Sequence, residues 1–116
     1  MDYKKDNVTT KKIRRDFVSY TVNWSEMQKV DRYVIARSVP ARPGIFELYY
    51  TEEEEHRKLF YMERVWYGGL RAEIRRASDP LEVADKMRRK VLSEKKCFYR
   101  YTIIESMEDM LDILHR

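Results

Sequence analysis

Two short aromatic segments, each punctuated by glycine, constrain the fold of this chain more than any other feature. The first is Pro43-Gly44-Ile45-Phe46-Glu47-Leu48-Tyr49-Tyr50, and the second ends in Arg64-Val65-Trp66-Tyr67-Gly68-Gly69-Leu70. Aromatic and aliphatic side chains at this density suit a pleated, half-buried surface. Gly44 to Tyr50 therefore reads as one strand and Lys58 to Tyr67 as another. The acidic run 52–55 between them is a turn or solvated loop, because adjacent carboxylates in one run rarely converge on one ion. Across so short a connection the strands pair antiparallel. Gly68-Gly69 closes the second strand, since a double glycine permits a tight turn and close backbone approach.

The flanking sequence supplies further elements. Val18, Tyr20, Val22 and Trp24 alternate with Ser19, Thr21 and Asn23, the period of a half-buried strand. Ser25 with Gln28 forms a capping-box pattern, and Met27, Val30 and Val34 share a helical face. That helix must stop before Pro40. Leu70–Ala77 is a short helix, and Asp79, Pro80 and Glu82 announce another, with Leu81, Ala84, Met87 and Val91 as its buried stripe. Cys97–Ile104 reads as a strand. Ser106 with Asp109 caps a terminal helix that turns Met107, Met110, Leu111 and Leu114 inward. The order implies an α+β fold, a small mixed or antiparallel β-sheet flanked by helices. Residues 1–12 read as a flexible arm, 13–42 as a strand–helix extension and 43–116 as the main domain, packing as one globular unit.

At 116 residues, 43% hydrophobic and 13% aromatic, the chain suits one folded domain and not a disordered segment. No apolar run approaches the ~20 residues of a membrane-spanning helix, so no membrane partner is expected. The polar start Met1-Asp2-Tyr3-Lys4 lacks an apolar signal core, and the single Cys97 reads as a reduced packing residue; both suit a cytoplasmic protein. His56 and His115 lack metal-site spacing, the methionines read as gap-fillers, and no metal ligands or cofactor are expected. Charge is uneven. Residues 1–43 hold ten basic and five acidic side chains, and residues 70–100 again hold ten and five. Such clusters neutralise phosphates, although helices also carry Lys and Arg on solvated faces.

The paired segments resemble the two half-motifs of the GIY-YIG nuclease family, over roughly Pro43 to His115. The resemblance implies a GIY-YIG-like domain: a hairpin carrying both half-motifs, then helices, a third strand and a helix. It also implies a site in which the first Tyr helps deprotonate the nucleophile and the second orients the scissile phosphate. A downstream Arg stabilises developing charge, and a Glu on a later helix holds a divalent cation. Carried over, the first Tyr falls on Phe46, the second on Tyr67, and Gly44, Gly68 and Gly69 are the structural positions. The Arg maps to Arg75 or Arg76 after a short deletion, with Ala77 at strict spacing. The Glu falls near Leu114, with Glu108 and Asp112 nearby. Tyr50 lies two pleats from Phe46, ~13 Å along the strand, too far to replace the missing phenol. Losing the base alone costs ~10²–10⁴ in rate.

The sequence admits three functional readings. The first is a non-catalytic binding module on a degenerate site, holding DNA or RNA through Arg71, Arg75, Arg76, Arg88, Arg89 and Lys90. The second is an endonuclease using Mg²⁺ or Mn²⁺ at a rearranged site built from Tyr67, an Arg and an acid of the last helix. The third is a protein–protein interaction domain, its N-terminal strand pairing with a protein partner or a second copy as a homodimer. Against all three, Phe46 and Tyr67 could be core aromatics of a hairpin, and Arg71 and Arg75 could pair internally with Glu73, Asp79 or Glu82.

Overall fold

The two aromatic segments pair as β4 (Gly44–Thr51) and β5 (Arg57–Val65) in the computed structural model, which describes residues 7–14, 17–53 and 56–114. Before them come β1 (Thr10–Arg14), β2 (Phe17–Thr21), β3 (Gln28–Lys29) and α1 (Arg32–Ser38). After them come α2 (Gly69–Ala77), α3 (Lys86–Glu94), β6 (Lys96–Ile103) and α4 (Met107–Leu114). The expected α+β class holds. One antiparallel sheet has the order β3-β6-β4-β5, and β1 and β2 make a second.

β4 is central, pairing along its whole length with β5 on one side and β6 on the other. Strand alternation gives the sheet two faces. Phe46, Leu48, Val65, Tyr99 and Tyr101 point into the main core, where Ile35 of α1 and Leu70 and Ile74 of α2 meet them. Ile45 points the other way, into a smaller cluster with Ile104 and Met110, flanked by Trp24 and Trp66. Gly44 sits where β4 runs tight against β6. A methyl group there would overlap the Thr102 carbonyl oxygen and stand 2.8 Å from Leu70 Cδ1. Gly68 and Gly69 take φ of +86° and +80°, the left-handed region that side chains resist, and so turn β5 directly into α2.

Four expectations need correction. The helix predicted from Ser25 does not start there. The Ser25 amide donates to the Tyr101 carbonyl (2.8 Å), and its hydroxyl accepts from the Tyr101 amide (2.9 Å). Its polar groups are thus used by the edge of β6, and residues 28–29 become a strand. The helix instead begins after Asp31, whose carboxylate caps Tyr33 (2.9 Å) and Val34 (3.2 Å). The helix predicted from Asp79 starts six residues later. Asp79 caps a local turn at the Leu81 amide (2.9 Å), and Asp85 caps α3 at Arg88 (2.9 Å). Most of the predicted stripe therefore faces water: Leu81 is 93% and Met87 75% exposed and Ala84 is exposed, whereas Val91 is half-buried and Val83 is buried. On α4, Met110 is buried but Leu111 is exposed; the side chains of Met107, Asp112 and Leu114 lie outside the described residues.

The proposed arm is the fourth. Residues 1–6 lie outside the described residues, but the rest of it is structured. Val8 bridges to Ile103, the Thr9 amide donates to the Ile103 carbonyl (2.8 Å), and the Thr9 and Thr102 hydroxyls share a buried hydrogen bond (2.7 Å). Thr10–Arg14 then pairs with Phe17–Thr21. Among the described residues, no helix is long and apolar enough to cross a membrane.

Candidate functional site

The hairpin separates the two aromatic positions of the half-motifs. Phe46 is fully buried among core side chains, its ring centroid 6.0 Å from that of Tyr61. Tyr67, beyond the end of β5 at the Gly68-Gly69 turn, is 82% exposed. One ring is inside the protein and the other is in water. Tyr50 is half-buried and packs edge-on against Phe60, its centroid 5.8 Å away.

Tyr67 borders an open pocket of about 430 Å³ with Glu63, Glu73 and Arg76 on one side and Met110 and Leu111 of α4 on the other. Of the two arginines that the resemblance offers, Arg76 lines this pocket and Arg75 does not. Adjacent helical residues point about 100° apart, which is enough to send Arg75 elsewhere. It borders a second hollow of about 550 Å³ with Arg32, Ser78 and Asp79, which Arg76 also lines.

The two carboxylates that line this pocket, Glu63 and Glu73, are both engaged. The Tyr61 hydroxyl donates to Glu63, and Arg76 pairs with Glu73. Burial first, and the bond to Glu63 second, push the Tyr61 phenol above its ordinary value, so it stays protonated and acts as a donor. The Arg88 guanidinium lies 3.9 Å from the Tyr61 ring centroid. On α4, Glu108 is exposed and Asp109 binds the Lys11 ammonium (3.0 Å) and the Tyr20 hydroxyl (3.3 Å). Burial alone would raise the Asp109 pKa, but the hydrogen bonds from Lys11, Ser106 and Tyr20 outweigh it and hold the carboxyl below its usual range. Asp109 thus ties the N-terminal hairpin to α4. Among the described residues, no group of three or more His, Cys, Asp or Glu side chains is placed to share a metal ion.

The basic helical face is thinner than the sequence suggests. Arg71 donates to the Val39 carbonyl (2.7 Å) and Arg89 to the Val83 carbonyl (3.0 Å). With Arg76 paired and Arg88 on Tyr61, the exposed cations left from the six are Arg75 and Lys90.

A protein-family model described as "Uncharacterised protein" matches residues 8–115. The chain belongs to that family. The match begins at Val8, the residue that bridges to β6, and so spans the N-terminal hairpin together with the sheet and all four helices. No curated protein and no solved structure matches the chain.

Two polar clusters in this family member were not singled out from sequence. Tyr61 and Glu63 are two residues apart on one strand, a spacing that puts them on one face. The other cluster joins Glu47 to Arg100, whose Nε donates to the carboxylate at 2.6 Å across the β4–β6 register. Alternation marks Glu47 as facing away from Phe46, but its partner is 53 residues distant and only the pairing reveals it.

Proposed function

We propose that this protein is a non-catalytic binding module for nucleic acid on a GIY-YIG-like frame. In favour of the frame, the order after Gly44 is a hairpin, two helices, a strand and a helix. The burial of Phe46 carries the non-catalytic reading. A side chain without an ionisable proton, sealed in an apolar core, cannot activate a nucleophile at a phosphate. The α4 side chains beside Tyr67, Met110 and Leu111, offer no oxygen to a cation.

Binding would draw on exposed cations, with Arg75 beside the larger hollow and Arg32 across it. Lys90 on α3 adds to them. Each phosphate contact contributes roughly 0.7–0.9 to the slope of log affinity against log salt. A cytoplasmic setting suits a chain whose one thiol, Cys97, is free.

The test is fluorescence anisotropy of labelled DNA and RNA oligomers between 50 and 200 mM salt. Binding should weaken steeply with salt, and Arg75→Glu should weaken it for every sequence alike. No binding at low salt would remove nucleic acid as the partner. Incubating the protein with Mg²⁺ or Mn²⁺ and a panel of nicked and branched DNA tests the rest. Cleavage that disappears in Tyr67→Phe would replace this reading with that of an endonuclease.

A further inference from the structure

The sheet face turned away from α1 and α2 carries a surface that the half-motifs do not use. Register sets its composition row by row. Tyr49 and Phe98 stand directly opposite each other on the two central strands, with Lys29 beyond Phe98 and Leu59 beyond Tyr49. One row along, Arg100, Glu47 and Met62 align. Leu59 and Met62 are each about half exposed, so this end of the face is open to water, whereas α4 and the two tryptophans close the other end.

Two details make the open end more than an uncovered apolar patch. The first is its charge. Lys29, Arg57, Arg64 and Lys96 are all exposed on this face, and none has a carboxylate partner among the described residues. Glu47, the carboxylate in these rows, is buried and held by Arg100 at 2.6 Å and by the Tyr49 hydroxyl at 2.7 Å. The second is how the rings are held. Arg100 lies 4.3 Å from the Trp24 ring centroid and 5.7 Å from that of Tyr49, so Tyr49 is fixed by its hydroxyl and flanked by a cation. The Arg57 guanidinium rests 4.6 Å from the Phe98 ring centroid, which shows that a flat cationic group can already occupy that face. Burial and the bond to Glu47 raise the Tyr49 phenol above its ordinary value, which keeps the ring neutral.

Two adjacent rings on an open antiparallel sheet, flanked by exposed cations, match the chemistry of an unpaired polynucleotide. Its bases offer flat faces to stack on aromatic rings and guanidinium planes, and its phosphates seek Lys and Arg. A duplex hides those base faces and cannot use the rings. We propose that the Tyr49–Phe98 face binds single-stranded nucleic acid, with bases stacked on the two rings and the backbone drawn along Arg57, Arg64, Lys29 and Lys96. This surface lies across the sheet from Arg75 and stands independently of the helical face proposed above.

The experiment compares fluorescein-labelled dT12 and rU12 with a 12-base-pair duplex, by anisotropy at 50 mM salt, using the full chain. Single strands should bind at least tenfold tighter than the duplex, and the two arms report whether the sugar matters. Phe98→Leu and Tyr49→Leu should each weaken single-strand binding by about 5- to 150-fold, the range for one lost stacking contact. Tyr49→Phe, which keeps the ring, should bind within about threefold of wild type. Because Tyr49→Leu also removes a bond to Glu47, the exposed Arg57→Gln serves as a second variant whose folding is not at stake; it should lower the salt slope by about 0.7. Equal or tighter duplex binding, or leucine variants that bind like wild type, overturns the proposal. So does a loss on Arg75→Glu with none on Phe98→Leu, which would leave the helical face as the site. A dimer abolished by Met62→Lys, with no strand binding, would also overturn it and give the face to a second copy of the chain.

Discussion

Replacing Phe46 by tyrosine would restore the hydroxyl that the GIY-YIG resemblance calls for, and the packing around Phe46 determines the cost. The ring has no exposed surface and shares the main core with Ile35, Leu48, Leu70 and Ile74, all fully buried, while the nearby Tyr61 hydroxyl is already committed to Glu63. An added phenolic oxygen gives up its bonds to water, and a buried hydroxyl without a partner costs about 1–3 kcal/mol. For a chain of this length that corresponds to a fall in Tm of roughly 4–15 °C. Calorimetry and urea denaturation would measure both, with Tyr67→Phe as the control. Its hydroxyl is lost from a ring 82% exposed, so stability should stay within about 0.5 kcal/mol of wild type. No divalent-cation-dependent cleavage should appear in Phe46→Tyr. A variant as stable as wild type, or one that cuts DNA, would refute the argument, because either result requires the para position of residue 46 to reach water or substrate.

Other perturbations follow from the packing. Gly44→Ala should cost more than about 3 kcal/mol, seen as a loss of cooperative unfolding or of soluble protein, because the new methyl overlaps backbone. Glu47 and Arg100 should show a coupling of about 1–3 kcal/mol in a double-mutant cycle on unfolding free energy, the value discounted because the Arg100 side chain is 30% exposed. A coupling near zero would mean the pair contributes only geometry. Burial pushes the Cys97 thiol up to about 11 and the Tyr99 phenol up to about 12. Both groups keep protons in the folded chain that the unfolded chain releases. Their contribution to stability is complete below pH 9 and drains away as pH climbs through 11 and 12. Denaturation followed against pH should show that decline, and Cys97→Ser should remove the thiol's share.

The hairpin and α2 were legible because their signals are local. Aromatic density marks the strands, and Gly68-Gly69 marks a turn that only positive φ can make. The elements that shifted were decided by partners remote in sequence. Ser25 carries a good helix-start pattern, yet its amide and hydroxyl meet Tyr101, 76 residues away. Asp79 and Asp85 are both competent caps, and nothing within the window chooses between them; the burial of Val83 goes with the later start. The sequence puts aromatic rings at Phe46 and Tyr67, but that one is buried and the other lies in water is decided by the fold. Spacing also could not separate Arg75 from Arg76, because a single helical step decides which one borders Tyr67. Register is likewise a tertiary property, and so the row joining Tyr49 to Phe98 is invisible in either strand alone.

Helix α3 buries none of its side chains. Its ties to the rest of the chain are few: the Arg88 guanidinium on the Tyr61 ring, the Arg89 bond to the Val83 carbonyl, the Cys97 thiol on the Val91 carbonyl (3.7 Å), and the half-buried Val91 and Leu92. A segment moored this lightly can detach while β4 and its neighbours stay paired. Its amides should therefore trade hydrogen for deuterium well before those of Phe46 or Tyr101, and a protease given native protein should make its first cut near Leu81 or Met87.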